Sequence, residues 1–229
     1  MIVHKCEQGS EEWQQLRCGV LTMSHAKELL TGGKGKTRQS YILDVVSERL
    51  SGKPIESYSS FDMQRGQFLE PYALKLIEEA NGAPIDRVGF ITTDDGRIGC
   101  SPDGLFGEMA GIEVKCPNPR QHIRNIKSNG FDDYIAQVQG NMWITGRQLW
   151  YLVSFCPWVT QNPFYYEVIN IDNEIVKKIK ESAISAANEI DYLVAELSEI
   201  LPDKRIISMA SEARIAWEST FAVNDEVEL

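Results

Sequence analysis

The sequence predicts an α/β fold: one domain with a central mixed β-sheet of about five strands, flanked by helices. Three observations carry that expectation. The chain has 229 residues, 43% hydrophobic and 24% charged, which suits one globular domain with a substantial core. Apolar residues recur at helical spacing through several long stretches, and between them lie short apolar runs bounded by glycine, proline and Asp-Gly turn signals.

The helices follow from spacing and capping. Ser10 is placed to cap a first helix through Glu11, Glu12, Trp13 and Leu16, with its acids where the helix dipole favours them. Residues 17–24 form a short loop or strand leading to a second capped helix at about 25–30. Tyr41, Ile42, Val45, Val46 and Leu50 define a packing helix over 37–50. Residues 61–81 read as a helix closed by Gly82, in which Pro71 either starts a fresh helix or kinks the old one just after Glu70. Asp132 starts another through Tyr134, Val138 and Met142, with Gln137 and Asn141 four apart on a second stripe. Residues 174–200 make a long amphipathic helix, and a further helix is expected through Met209, Ala213 and Trp217 before an acidic tail.

The strands follow from turns. Residues 87–94 and 97–101 are joined by Asp94-Asp95-Gly96, a hairpin signal, and with a strand at 111–116 they make a three-strand meander. Apolar, aromatic runs at 149–156 and 164–171 close the sheet.

Composition excludes several classes of protein. No run of about 18 apolar residues exists, so no membrane partner is expected. The N-terminus lacks the apolar core of a signal peptide, and a cytoplasmic location follows by default. Five singly scattered cysteines with no CxxC pair argue against a disulfide framework and against a zinc knuckle. A glycine-rich basic loop at 31–38 carries Lys34, Lys36 and Arg38, but it lacks the GxxxxGK[ST] order of an ATP site. As a loop it can touch a nucleic-acid backbone or simply be solvated. A net charge of −10 opposes non-specific DNA binding, although residues 172–229 carry much of the acid. A locally basic groove within an acidic exterior would reconcile the two.

Chemistry concentrates in residues 99–117. Asp103 lies at a Pro-Asp-Gly turn, and Glu113 and Lys115 are spaced two apart on the next apolar run. On a strand, that period puts Glu113 and Lys115 on one face and Val114 on the other. Oxygens of Asp103, Glu113 and the Val114 carbonyl suit Mg²⁺ or Mn²⁺, and Lys115 could orient water or stabilise charge at phosphorus. That is machinery for phosphodiester hydrolysis. Read alone, the same residues also describe a hairpin turn followed by a solvated strand face.

Ser-Pro-Asp-Gly followed by Glu-Val-Lys-Cys-Pro resembles the PD-(D/E)xK nuclease superfamily. Within it the chain is similar to the phage recombination exonucleases of the lambda exonuclease type, the YqaJ-like viral recombinases. Residues 13–24 (WQQLRCGVLTMS), 65–71 (RGQFLEP) and 136–145 (AQVQGNMWIT) extend the likeness over roughly residues 7–170. The resemblance implies a restriction-endonuclease-like core and a single nuclease domain over 1–229, with its core at about 7–171, a long helix at 173–200 and an extension at 203–229. It implies that Asp103, Glu113 and Glu70, with the Val114 carbonyl, hold Mg²⁺, for which Mn²⁺ can substitute, and that Lys115 and Gln137 complete the catalytic set. It places Arg17 and Ser24 on the 5′-terminal phosphate of DNA and Ser101 and Tyr134 at the substrate. It further implies a 5′-to-3′ exonuclease acting on double-stranded DNA ends, a ring-shaped homotrimer threaded by DNA, and a phage single-strand annealing protein as partner. The bacterial host cytoplasm is then the expected compartment. The alternatives are a restriction- or repair-type endonuclease of the same superfamily and a DNA-binding module that has lost the chemistry. Arg17 and Ser24 separate the first, since only an enzyme that captures ends needs a terminal-phosphate pocket; the intact Asp103, Glu113 and Lys115 weigh against the second.

Overall fold

The computed structural model describes residues 1–30, 36–55, 61–127, 130–200 and 202–221. Lys34 and the acidic tail therefore lie outside the described residues. The chain divides into two compact units, Met1–Tyr192 and Leu193–Leu229.

Among the described residues the strands form two four-stranded sheets flanked by helices. The first has the order β1 (Ile2–His4), β3 (Phe90–Thr92), β4 (Ile98–Cys100), β2 (Leu21–Thr22). The second runs β5 (Gly104–Phe106), β6 (Ala110–Lys115), β7 (Leu149–Phe155), β8 (Phe164–Asn170). Both are mixed: β2 is parallel to β4 and β6 to β7, while the other pairs are antiparallel.

The α/β class with mixed sheets is as expected, but the single sheet of about five strands is not. The expected meander divides after β4, where Pro102 has no N–H to extend the ladder and Ser101-Pro102-Asp103 carries the chain from the first sheet to the second. β1, β2 and β5 are only two or three residues long, too short to display an alternating pattern.

The long helices fall where apolar spacing put them: α3 (Lys36–Ser51), α4 (Phe61–Asn81), α6 (Asp132–Thr145) and α7 (Asn173–Ser198). α1 (Glu11–Arg17) starts at Ser10, whose Oγ accepts from the Trp13 N–H at 3.2 Å. α4 continues through Pro71, which lacks the N–H that would meet the Gln67 carbonyl one turn earlier. The second expected helix is shorter. A 3₁₀ turn (Met23–His25) leads into the single turn α2 (Ala26–Leu29), and Ser24 caps neither: its Oγ lies 2.9 Å from the Thr22 hydroxyl.

α5 (Pro119–Lys127) was not anticipated, although its start is legible. Proline occupies the first helical position, and Asn118 Oδ1 accepts from the Gln121 N–H at 3.0 Å. This helix buries His122, whose Nδ1 lies 2.7 Å from Ser154 Oγ and whose Nε2 donates to the Asn162 carbonyl at 2.8 Å. α8 (Lys204–Phe221) lies in the second unit.

β6 positions the chemistry because both of its faces are covered. Ile112 and Val114 pack with Leu69, Ala73, Leu74 and Ile77 of α4 in one buried cluster. The opposite face, carrying Glu113 and Lys115, meets α6 through Gln137 and Asn141. No described helix is long and apolar enough to cross a membrane.

Candidate active site

Glu113 is only 3% exposed, so its charge must be satisfied internally. Its Oε1 accepts from Lys115 Nζ and from Gln137 Nε2, each at 2.7 Å, and its Oε2 accepts from Asn141 Nδ2 at 3.2 Å. Lys115 Nζ also reaches Gln137 Oε1 at 3.3 Å and stands 4.9 Å from the centre of the Tyr134 ring. Burial alone would pull the lysine down, but the carboxylates of Glu113 and Asp103 outweigh it and raise its pKa, so the ammonium stays charged.

Asp103 comes from the loop between the sheets. Its Oδ2 accepts from the Val114 N–H at 2.6 Å, joining the turn to the middle of β6. The N–H and C=O of one extended residue leave by the same strand edge, so the Val114 carbonyl also faces the Asp103 side. Burial, followed by repulsion from Glu113 and Glu70, lifts the Asp103 pKa well above the usual carboxylate range; Lys115 and the Val114 N–H only partly offset this. Glu70 is raised for the same leading reason, burial, against the opposing pull of Arg87, whose Nη1 lies 3.7 Å from Glu70 Oε1. α4 is tied in place near this site by Arg65, whose Nε donates to the Cys116 carbonyl at 3.0 Å.

Like charges held together against desolvation are a donor set for a cation. Among the described residues no three His, Cys, Asp or Glu side chains converge closely enough to hold a metal ion by themselves. Two carboxylates and a backbone carbonyl nevertheless match Mg²⁺, which keeps several waters and takes only one or two carboxylates alongside substrate phosphate. The donors therefore fit the group, with Glu70 close enough to Asp103 and Glu113 for its charge to be felt.

Arg17 forms a second locus. Its Nη1 donates to Ser101 Oγ at 3.1 Å, and its guanidinium stands 4.2 Å from the centre of the Trp13 ring. Trp13 Nε1 donates to the same Ser101 oxygen at 3.0 Å. Burial lowers the Arg17 pKa, but a guanidinium starts so high that it stays charged. Ser24 is exposed, and β2 pairs in parallel with β4 at Thr22 and Gly99, so Ser24 and Ser101 each stand two residues beyond the paired positions, at the same end of the sheet. A cleft of about 790 Å³ is lined by Ser10, Trp13, Gln67, Glu70, Arg87 and Asp103 among others, so it runs from the carboxylates to the tryptophan that flanks Arg17.

The structure thus gathers Asp103, Glu113, Val114, Lys115, Gln137 and Tyr134 around β6, with Glu70 at their edge, and joins Arg17 to Ser101. It takes Lys36 and Arg38 out of the expected loop. Both lie on α3, and Arg38 is buried with its Nη2 2.9 Å from Glu189 Oε2 on α7. Sequence reasoning missed Asn141, Trp13, Arg65 and Arg87 as members of the site. The first was visible one turn from Gln137, whereas the other three carried no signal beyond their place in or near the family's motifs.

An acidic turn, a buried Glu-x-Lys strand and a glutamine-bearing helix on an α/β core form the arrangement that the resemblance to PD-(D/E)xK nucleases implies. The chain belongs to the YqaJ-like viral recombinase domain family, whose model matches residues 12–148. In solved structures it is similar to the alkaline exonuclease LHK-Exo of Laribacter hongkongensis, 30% identical with a TM-score of 0.75, over 82% of this chain and 96% of that one. The same exonuclease in complex with dAMP matches at 32% identity and the same TM-score and coverage. A phage-related exonuclease from Haemophilus somnus 129PT shares the fold at 20% identity and TM-score 0.63, over 78% of this chain and 96% of that one.

Proposed function

We propose that the chain is a Mg²⁺-dependent exonuclease of double-stranded DNA ends that digests the 5′-ended strand and leaves a 3′ single-stranded overhang for recombination by strand annealing. Family membership and the likeness to an alkaline exonuclease support a phage-type recombination exonuclease. The observation that carries the finer reading is the cleft lined by Asp103, Glu70 and Trp13, whose ring flanks Arg17 and whose Nε1 shares the Ser101 oxygen with it. In this reading the Arg17 guanidinium and the nearby hydroxyls, groups suited to a terminal phosphate, serve one end of the DNA path and the carboxylate-lysine centre serves the other.

Mg²⁺ held by Asp103, Glu113 and the Val114 carbonyl would supply Lewis acidity toward the phosphodiester and make the attacking water more acidic. Lys115, kept charged between two carboxylates, would stabilise the negative charge that grows at phosphorus. Gln137, bonded to both Glu113 and Lys115, would orient the water and fix both side chains. Arg17 would hold the end so that successive phosphates reach the centre in register. In this reading three copies form a ring whose channel offers Lys and Arg to DNA, a phage annealing protein coats the exposed strand, and the host cytoplasm is the site of action.

The test is digestion of linear duplex DNA with Mg²⁺, comparing 5′-phosphate with 5′-hydroxyl ends and including a closed circle. Loss of the phosphorylated strand with the circle untouched is expected. Arg17→Ala should reduce the preference for phosphorylated ends at least about tenfold, given ~1.5–3 kcal/mol for a hydrogen bond to a charged group. Nicking of the circle, or equal digestion of both ends by the unaltered protein, would overturn end capture.

A further inference from the structure

Asn141 stands one helical turn beyond Gln137 on α6 and is 1% exposed. Its Nδ2 donates to Glu113 Oε2, while its Oδ1 is buried with no hydrogen-bond partner among the described residues. An unsatisfied buried acceptor costs stability, and a leucine of similar volume would avoid that cost. The amide is thus a polar group whose return is its contact with the Glu113 carboxylate. The three donors to Glu113 also differ in kind. Lys115 and Gln137 share Oε1, have long side chains, and are themselves assigned to substrate and water. Among the described residues Asn141 alone holds Oε2, through a short side chain packed in the interior.

We propose that Asn141 is a positioning residue that fixes the plane of the Glu113 carboxylate, keeping it aimed at the cation when Lys115 and Gln137 turn to the substrate. The role rests on the proposed cation site. A carboxylate pre-set by a fixed donor binds metal without first losing its rotational freedom, and partners of this kind commonly alter affinity 10- to 100-fold. A residue serving only the packing would reveal itself differently, because its removal would lower stability and leave the intrinsic affinity unchanged.

The test pairs Mn²⁺ titration by calorimetry, without DNA, with thermal melting of the metal-free protein. Asn141→Leu should weaken Mn²⁺ binding at least about tenfold in a protein that still melts cooperatively, and should lower kcat with little change in KM for duplex ends. Asn141→Ala, which adds no bulk, should weaken Mn²⁺ equally and keeps the question open to measurement if the leucine variant misfolds. Unchanged Mn²⁺ affinity in a folded variant would overturn the positioning role while leaving the cation site standing. Absence of Mn²⁺ binding in the unaltered protein would overturn the cation site, and the positioning role with it.

Discussion

Asp103 shares its surroundings with Glu113 and Glu70 and receives one backbone N–H, from Val114, in return. Its folded pKa is raised above the unfolded value, so across the window between the two the folded state binds more protons, and stability falls as pH rises through it. As pH rises through that window the metal-free protein takes on the cost of holding Asp103 in this acidic, buried setting. Asp103→Asn keeps an acceptor for the Val114 N–H and removes that charge. It should raise metal-free stability by ~0.5–2 kcal/mol in a denaturant melt with chelator, and cleavage should be lost. Equal or lower stability would mean that Asp103 is not strained in the folded state. Lys115 has the opposite sign, since its raised pKa contributes stability that is present at neutral pH and is lost only as pH climbs through the folded value. Lys115→Ala should cut cleavage by ~10²–10³-fold, the usual worth of one charge-stabilising donor, while Mn²⁺ still binds by calorimetry; full activity would remove lysine from the chemistry. Glu113 and Lys115 were legible because a period of two is written in adjacent residues. Asn141 was visible one turn from Gln137, but its contact with Glu113 and the role of Trp13 were not, because a buried amide or a shared serine oxygen is defined by what arrives from another element.

At the scale of elements, β6 depends on close approach as much as on its charges. Gly111 faces the same way as Glu113 and pairs with Trp150 of β7; a Cβ there would lie 2.2 Å from the fully buried Trp150 ring. The ring has nowhere to retreat in a packed core, so Gly111→Ala should cost ~1–3 kcal/mol by overpacking, read as a lowered denaturation midpoint. The same shift of β6 would move Glu113 and Lys115 together, so activity should fall more steeply than stability. A neutral Gly111→Ala would show that the β6–β7 pairing can slide without loss. Helices were read well because their apolar spacing extends over many turns, as in α3, α4, α6 and α7. β1, β2 and β5 were not, since three residues carry no period, and the division into two sheets depends on where Pro102 interrupts pairing. Ser24 shows the same limit, because its hydroxyl stays with Thr22 and the helix beyond it is a single turn.

For the whole molecule, the net charge of −10 and the proposed hold on DNA pull in opposite directions. Part of the basic complement is already committed internally: Arg38 to Glu189, and Arg49 and Arg97 to Asp191, each joining an early element to α7. The sequence displayed the overall balance but not which cations were so engaged, because those pairs are 94 to 151 residues apart. The residues assigned to chemistry and to the end phosphate all lie in the first unit, Met1–Tyr192, which contains every described strand and the buried cluster beneath β6. The second unit holds α8, on which Ile206, Ile207, Met209 and Ile215 are 53–70% exposed, so little apolar area is withdrawn from water there. Ending the chain after residue 201 keeps α7 whole and removes α8 with the acidic tail. That variant should fold with a melting temperature within a few degrees of the full chain, because a loss below about 1 kcal/mol moves a domain of this size by only ~2–4 °C. It should also still release nucleotides from linear duplex DNA with Mg²⁺. Its mass by light scattering then tests the ring separately: a trimer that persists places the contacts between copies in residues 1–201, whereas an active monomer would assign them to α8 and the tail. A variant that fails to fold would show that the first unit is not self-sufficient.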